Sequence, residues 1–267
     1  MKYDGIVIYS DLDGTLLDSE RNLSKENMDA INSFISQGGR FGVATGRMER
    51  TTTVKFPDLY MNVPSVFFNG AMVYDTNSQE VLYKTTMPDD LKPIVKRILA
   101  EYPETCCEIN MHGKAYVFNP NDIVREQLER EGLEVEEATL ENIPGEWLKI
   151  LFLDKHETLE RIKADLEQLN RTDLNIVFSE HELLDIMEKS ASKGAALNKL
   201  KSIYGGNWRR LVAVGDNDND LEMIQAADIG IAVGNATPAV RNASDYIIKD
   251  HDTPCIPQVL KLLEAYL

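Results

Sequence analysis

The sequence is poor in cysteine and in long hydrophobic runs. Only three of its 267 residues are cysteines, and a disulfide could join the neighbours Cys106 and Cys107 only with strain. We therefore predict no disulfide framework and expect a cytoplasmic protein. The first apolar run spans residues 5–10 and is too short for a signal peptide or a membrane span, so neither is predicted.

Positive charge is also scarce. Lysine and arginine number 28 against 44 aspartates and glutamates, which gives a formal net charge of −16 at pH 7. Such a chain repels polyanions, so we expect neither nucleic acid nor an acidic membrane surface as a partner. The pattern G-x-x-x-x-G-K-[ST] is absent, and the four histidines show no metal-ligand spacing, so a P-loop and a histidine site are not predicted.

Six apolar segments of strand length alternate with helical patterns near the two ends of the sequence. Nearly continuous apolar strands separated by helices are typical of a parallel sheet that is covered on both faces. The sequence therefore predicts an α/β fold with a Rossmann-like, mostly parallel sheet. The predicted strands lie at residues 5–10, 41–45, 65–70, 210–216, 229–233 and 245–249.

The middle of the chain has a different pattern. Two longer amphipathic helices and four half-exposed strands predict an α+β layer with an antiparallel sheet. The helices are expected at residues 88–102 and 157–169, and the strands at residues 114–119, 148–154, 174–179 and 183–189. We therefore predict a core domain formed by residues 1–84 and 189–267, with a cap domain of residues 85–188 inserted between its two parts.

Polar side chains follow the predicted parallel strands at the points where the strands end. In an open parallel sheet the carboxyl ends of the strands form the functional crevice. Carboxylates from separate strand ends repel one another unless a cation lies between them, and an all-oxygen set suits Mg²⁺. The residues are Asp11 and Asp13; Thr45, Gly46 and Arg47; Asn69; Asp216, Asn219 and Asp220; and Lys193, which opens the helix before the fourth strand.

Four short motifs carry a family resemblance. "DLDGT", "TGR", "SKG" and "GDNDND", in this order, resemble the four motifs of the haloacid dehalogenase superfamily of phosphotransferases. The long insertion between the second and third motifs resembles the cap of its Cof-type branch, subclass IIB, whose members are similar to sugar phosphatases. "NGA" at residues 69–71 also recurs in that branch.

The resemblance implies a Mg²⁺-dependent phosphomonoester hydrolase that acts on small phosphorylated metabolites, with sugar phosphates first. Asp11 would be the nucleophile that forms an aspartyl-phosphate, and Asp13 the general acid and then the base. The catalytic set would be Asp11, Asp13, Thr45 and Lys193; the substrate-binding set Gly46, Arg47, Asn69 and Asn219; and the metal-binding set Asp11, Asp13 through its carbonyl, Asp216 and Asp220.

Other functions stay open at this point. A phosphomutase shares this type of core but returns the phosphoryl group to a hexose phosphate, and a phosphate-sensing protein would carry the same residues without turnover. A calcium loop is disfavoured, because in a loop that starts with Asp216 as position one, position six is Leu221 where glycine is needed. The sequence does not determine the physiological substrate or the oligomeric state.

Overall fold

The computed structural model describes residues 1–132, 135–137 and 139–266. The chain divides into two compact units. Unit 1 contains residues 1–47, 56–83 and the chain from Ser192 onward, and unit 2 contains Met48–Lys55 and Lys84–Ala191. Residues 48–55 lie within the predicted core segment 1–84, and in the structure they group with unit 2.

The strands and helices are numbered in chain order. The strands are β1 (Ile6–Ser10), β2 (Arg40–Val43), β3 (Ser65–Phe67), β4 (Met72–Asp75), β5 (Glu80–Lys84), β6 (Cys106–Met111), β7 (Lys114–Phe118), β8 (Glu136–Glu137), β9 (Lys149–Leu153), β10 (Leu174–Glu180), β11 (Leu183–Glu188), β12 (Arg210–Gly215), β13 (Ile229–Ala232) and β14 (Tyr246–Ile247). The helices are α1 (Lys25–Ser36), α2 (Glu49–Lys55), α3 (Lys92–Glu101), α4 (Asp122–Glu131), α5 (His156–Glu167), α6 (Lys193–Tyr204), α7 (Leu221–Ala226), α8 (Pro238–Ala243) and α9 (Cys255–Leu263).

Unit 1 is built on a parallel sheet with the strand order β14-β13-β12-β1-β2. On one face, Val7 and Tyr9 of β1 share a core with Ala196 and Leu197 of α6 and with Met223 of α7. Side chains alternate along a strand, so the neighbouring residues of β1 point to the other face. These features confirm the predicted α/β class with a parallel sheet.

The strand predicted at residues 65–70 is not one of the five strands of this parallel sheet. Ala44, the residue after β2, forms an isolated parallel bridge with Val66 of β3, and β3 pairs antiparallel with β4 in a separate three-stranded sheet, β3-β4-β5. The reason lies in the turn after β3. Phe68 and Asn69 both have positive φ angles, of 50° and 51°, and the chain reverses there directly into β4.

Unit 2 contains a six-stranded sheet with the order β10-β11-β9-β6-β7-β8, antiparallel except for the β7–β8 pair. One face packs on α3 and α5, where Ile98 and Ile162 join Ile109, Ile150 and Phe152 of the sheet. The antiparallel sheet was predicted, but β6 was not. Within the part of the chain that the structure describes, no helix combines the length and the apolar character needed to cross a bilayer.

Candidate active site

Two carboxylates meet at the carboxyl ends of neighbouring parallel strands. β1 and β12 pair in parallel with Ser10 opposite Val214, and the amide of Asp11 donates to the Val214 carbonyl at 2.9 Å. Asp11 directly follows β1, and Asp216 directly follows β12. One carboxylate oxygen from each of Asp11, Asp216 and Asp220 lies within 4.8 Å of the others. The topology thus brings together groups that are 205 positions apart in sequence.

Lys193 lies in the middle of this acidic group. It is the first residue of α6, whose N-cap Ser192 accepts a hydrogen bond from the amide of Ala195 at 3.0 Å. Its ammonium Nζ donates to Asp11 Oδ1 at 2.5 Å and to Asp220 Oδ1 at 2.6 Å. The side chain is 1% exposed, so its charge acts with little screening by water.

Asp220 has both of its carboxylate oxygens engaged inside the protein. Oδ1 binds Lys193, and Oδ2 accepts hydrogen bonds from the amides of Asp216 and Asn217 at 2.9 and 3.1 Å. This carboxylate therefore orients the loop after β12. Together with Asp11 and Asp216 it forms an acidic group that could hold a metal ion.

Burial and neighbouring charges shift the pKa values of Asp11, Asp216 and Lys193. Burial raises the pKa of Asp11 well above its ordinary value; Lys193 opposes this shift, and the charges of Asp220 and Asp216 reinforce it. Burial, followed by the charge of Asp220, raises the pKa of Asp216 to about 6. Burial lowers the pKa of Lys193, but Asp11 and Asp220 outweigh it, so the pKa is raised overall. A further cation nearby would therefore stabilise the ionised forms of Asp11 and Asp216.

The donor set fits a hard divalent cation. Carboxylate oxygens are the ligands that Mg²⁺ takes from proteins. The hydroxyl of Thr15 donates to Asp216 Oδ1 at 3.0 Å and so fixes the orientation of this carboxylate. Thr15 stands two residues after Asp13 in the first motif, but the sequence assigned it no catalytic, binding or metal role.

Gly14 permits the close approach of the two acidic loops. It has a φ of +78°, a backbone conformation that favours glycine, in the tight turn Leu12–Leu16. A Cβ atom there would lie 2.6 Å from Asp216 Oδ2. The "DLDGT" motif thus needs its glycine both for the turn and for the space that the Asp216 carboxylate occupies.

Asp13 is held by Arg47 in the structure. Arg47 donates from Nε to Asp13 Oδ2 and from Nη2 to Asp13 Oδ1, both at 2.7 Å. Burial works to raise the pKa of Asp13, but the hydrogen bonds and charge of Arg47 outweigh it and lower the pKa. The guanidinium also lies over the ring of Phe56, 5.7 Å from its centroid. Arg47, predicted to bind substrate, here orients the predicted general acid.

Thr45 lies at the same sheet edge as Asp11. The amide of Ala44 donates to the Ser10 carbonyl at 2.9 Å, which places Thr45 beside Asp11 across the two strands. Thr45 is 1% exposed, and its hydroxyl accepts a hydrogen bond from the amide of Arg47 at 3.1 Å. The second motif is therefore tied to the turn that carries Arg47.

The structure also brings Gly46, Asn69 and Asn219 together. Asn219 Nδ2 donates to Asn69 Oδ1 at 3.1 Å, and a Cβ atom on Gly46 would lie 2.9 Å from the same oxygen. The amide of Asn69 donates to the Thr45 carbonyl at 2.9 Å. The four residues predicted from three separate strand ends thus form one polar cluster.

Asn235 is a second residue that sequence analysis missed. Its Nδ2 donates to the Gly14 carbonyl at 2.8 Å and lies 3.5 Å from Asp216 Oδ2, so it bridges the two acidic loops. Its Oδ1 accepts from the backbone amide of His251 at 3.1 Å. The sequence could have indicated Asn235, because it follows the carboxyl end of β13, and the other site residues also follow the carboxyl ends of strands.

Comparisons with known proteins agree with this architecture. Residues 8–260 match the model of the haloacid dehalogenase-like hydrolase family. The chain is 27% identical to the pyridoxal phosphate phosphatase YbhA of Escherichia coli, over 95% of this chain and 97% of that protein. It is 25% identical to the 5-amino-6-(5-phospho-D-ribitylamino)uracil phosphatase YitU of Bacillus subtilis, over 96% of each chain.

A solved structure shares the whole fold. The subclass IIB sugar phosphatase BT4131 of the same superfamily superimposes with a TM-score of 0.77 over 98% of both chains, at 20% sequence identity. The predicted superfamily and the enzyme class of a phosphatase are confirmed. With its motifs, its fold and a family match over most of its length, the chain belongs to the haloacid dehalogenase-like hydrolase family.

Proposed function

We propose that this phosphatase is a Mg²⁺-dependent phosphomonoesterase that works through an aspartyl-phosphate on Asp11. The observation that carries the proposal is the buried contact between Asp11 and Lys193, at 2.5 Å, beside the carboxylate of Asp216. A nucleophilic carboxylate, a fixed cation next to it and a second metal ligand are what phosphoryl transfer to a side chain requires.

The metal would be held by Asp11, Asp216 and the carbonyl of Asp13, with Asp220 supporting it through Lys193 and the loop amides. When bound, Mg²⁺ neutralises charge on the phosphoryl oxygens and on the two carboxylates. Lys193 supplies a permanent positive charge on the other side of Asp11, and Thr45 and Asn219 offer hydrogen-bond donors to the phosphoryl group.

The first half of the reaction transfers the phosphoryl group to the protein. The carboxylate of Asp11 attacks phosphorus, the bond between phosphorus and the ester oxygen breaks, and Asp13 gives its proton to the leaving oxygen. An ionised Asp13 bound by Arg47 has no proton to give. The Arg47 contact therefore has to open before this step, which frees the guanidinium to bind the phosphate.

The second half regenerates the enzyme. Asp13, now ionised, takes a proton from water as the water oxygen attacks phosphorus. The bond between phosphorus and Asp11 breaks, inorganic phosphate leaves, and Asp11 returns as a carboxylate while Asp13 is protonated for the next cycle. Each half-reaction makes one bond to phosphorus and breaks one.

The substrate class in this proposal is supported by the relatives. The two curated relatives act on small phosphorylated molecules, one of them a phosphorylated ribityl compound. We propose small phosphorylated metabolites, with sugar and sugar-alcohol phosphates first, in a cytoplasmic setting. We also propose that the core and cap domains meet at residues 84/85 and 188/189.

The test measures free phosphate from a panel of phosphorylated metabolites, with Mg²⁺ and with a chelator. We expect Mg²⁺-dependent release, and a loss of about 10³-fold or more in Asp11→Asn. Asp58→Asn, which removes an exposed carboxylate of unit 1, is the matched control and keeps the parental rate. Full activity of Asp11→Asn would exclude the covalent route, and isomerised hexose phosphate without free phosphate would indicate a phosphomutase.

A further inference from the structure

Asn235 lies between the two acidic loops of the candidate active site. Its Nδ2 donates to the Gly14 carbonyl, in the loop after β1, at 2.8 Å. The same nitrogen lies 3.5 Å from Oδ2 of Asp216, in the loop after β12. One side-chain amide is therefore within reach of both loops that carry the proposed metal ligands.

The orientation of this amide group is fixed from its other side. Asn235 Oδ1 accepts a hydrogen bond from the backbone amide of His251 at 3.1 Å. A backbone N–H can only donate, so the atom that faces it has to be the amide oxygen. The Nδ2 end, which can only donate, then faces two groups that accept, the Gly14 carbonyl and the ionised carboxylate of Asp216.

The loop that carries Asn235 is attached to the backbone on both sides of that residue. On one side the Gly234 amide donates to the Lys249 carbonyl at 3.0 Å. On the other side the Thr237 amide donates to the Asp216 carbonyl at 2.8 Å. Asn235 thus projects from a fixed backbone, and that backbone is itself bonded to the loop after β12.

The contact with Asn235 also holds the tight turn Leu12–Leu16, which follows the end of β1. Beyond the turn, the chain is attached again at Ser19, which donates from its amide and its hydroxyl to Asp252 Oδ1 at 2.8 and 2.7 Å. Asn235 acts between these points, at Gly14, where a Cβ atom would meet the carboxylate of the other acidic loop. This contact therefore fixes the spacing of the two loops where they approach each other closely.

The spacing of the loops bears on which cation they can hold. Mg²⁺ demands a near-ideal octahedral set of oxygens at about 2.0–2.1 Å, whereas Ca²⁺ accepts a larger and more flexible set at about 2.3–2.6 Å. A site that is held rigidly at a small spacing therefore favours Mg²⁺. Loosening such a site removes more of its affinity for Mg²⁺ than of its affinity for Ca²⁺.

We propose that Asn235 is a positioning residue that determines the selectivity of the metal site, because it holds the two acidic loops at the spacing that suits Mg²⁺ and not the larger Ca²⁺. The proposal rests on the proposed function, in which the acidic group binds a divalent cation. Asn235 lies in none of the four motifs, so the motif pattern does not assign it this role.

The decisive experiment titrates the full chain, without substrate, with Mg²⁺ and separately with Ca²⁺ in a calorimeter. We expect Asn235→Ala to weaken Mg²⁺ binding about tenfold and to change Ca²⁺ binding by less than about threefold. Asn242→Ala, which removes an exposed asparagine of α8 in the same unit, is the matched control and keeps both affinities. An equal change for the two ions, or no change for either, overturns the proposal.

Asn235→Asp separates the hydrogen-bond donor from an effect of charge. It keeps the size of the side chain but places a carboxylate oxygen where Nδ2 now donates to Gly14. The added negative charge should strengthen the binding of both cations. The ratio of the two affinities should nevertheless stay near that of Asn235→Ala, because the donor is missing in both variants. The parental ratio in Asn235→Asp would refute a role for the donor.

Urea unfolding separates positioning from a folding defect. Asn235 is exposed, so Asn235→Ala leaves no buried cavity. We expect the urea midpoint of the metal-free protein to shift by less than about 0.5 M. A larger shift, together with an equal loss of affinity for both ions, would show a purely structural role and contradict the proposal.

The metal titration does not depend on turnover, so it distinguishes this proposal from the proposed function. If the variants behave as expected but the protein hydrolyses no phosphate ester, the function is wrong and the role of Asn235 stands. If hydrolysis occurs and Asn235→Ala keeps the parental ratio of affinities, the function stands and this role is refuted. A parental protein that binds neither ion, or binds Ca²⁺ more tightly than Mg²⁺, also overturns this role.

Discussion

The two units bury charge in different places. In unit 1, Lys193 lies between Asp11 and Asp220 beyond the ends of the strands. In unit 2, Lys149 on β9 binds Asp185 on the neighbouring strand β11 at 2.6 Å, in the interior of the sheet. The side chains of both lysines are largely buried, at 1% and 12% exposure.

The position of each buried lysine relative to its sheet determines whether its carboxylate partner can also bind a ligand. At a strand end, the backbone of the sheet closes off one side only, so Asp11 can meet a ligand from the other side. Within a sheet, Lys149 and Asp185 form an ion pair, and the Ser179 hydroxyl donates to the other oxygen of Asp185 at 2.9 Å. We expect the first group to be irreplaceable for chemistry and the second to be replaceable by a matched apolar pair.

The largest effect is expected for Lys193→Met. Its removal leaves two buried carboxylates without their cation, so the free energy of unfolding of the metal-free protein should fall by about 5 kcal/mol. Urea unfolding in the presence of a chelator measures it. The control is Lys201→Met, which breaks an exposed pair with Asp228 and should cost at most about 1 kcal/mol. Equal losses in the two variants would contradict the comparison.

A smaller effect is expected in unit 2. Lys149→Met leaves one buried carboxylate, which also keeps a hydroxyl donor, and should lower the free energy of unfolding by about 3 kcal/mol. The double variant Lys149→Met with Asp185→Leu should recover most of this loss, because no charge then stays buried. The same urea experiment checks it. If the double variant is as unstable as the single one, an apolar pair cannot replace Lys149 and Asp185.

The smallest effect is a pH dependence at Asp216, whose folded pKa of about 6 lies above the ordinary 3.8. Between these values the folded state binds more protons than the unfolded state. The stability of the metal-free protein should therefore fall as pH rises, by at most about 1.4 kcal/mol per pH unit. Asp216→Asn removes this contribution, and Asp218→Asn, an exposed neighbour, does not. Parallel curves for the parental protein and Asp216→Asn from pH 4 to pH 7 would refute it.

The sequence predicted the candidate site best in the parallel sheet of unit 1. The carboxyl ends of parallel strands meet at one edge, so the positions of Asp11, Asp216 and Thr45 follow from counting strands. The same rule, carried one strand further, reaches Asn235. The turn after β3 was not foreseen, because positive φ at Phe68 and Asn69 depends on local packing that no period in the sequence reveals.

Side-chain pairings were less accessible than strand ends. The contact from Arg47 to Asp13 depends on side-chain torsions, and the hydrogen bond from the amide of Gly113 to Glu49 joins residues that are 64 positions apart in sequence. The antiparallel sheet of unit 2 spreads its polar residues along the strands, so no single edge gathers them. Sequence patterns report burial and period, and they leave such long-range partners undetermined.

Gly14 sets a limit on how this enzyme can be redesigned. The smallest possible side chain at that position would claim the place where Asp216 Oδ2 now lies, 2.6 Å from the hypothetical methyl carbon. A library that aims at new substrates can vary the polar residues around the crevice, but it has to leave this one codon alone. The two acidic loops can approach this closely because Gly14 has no Cβ atom.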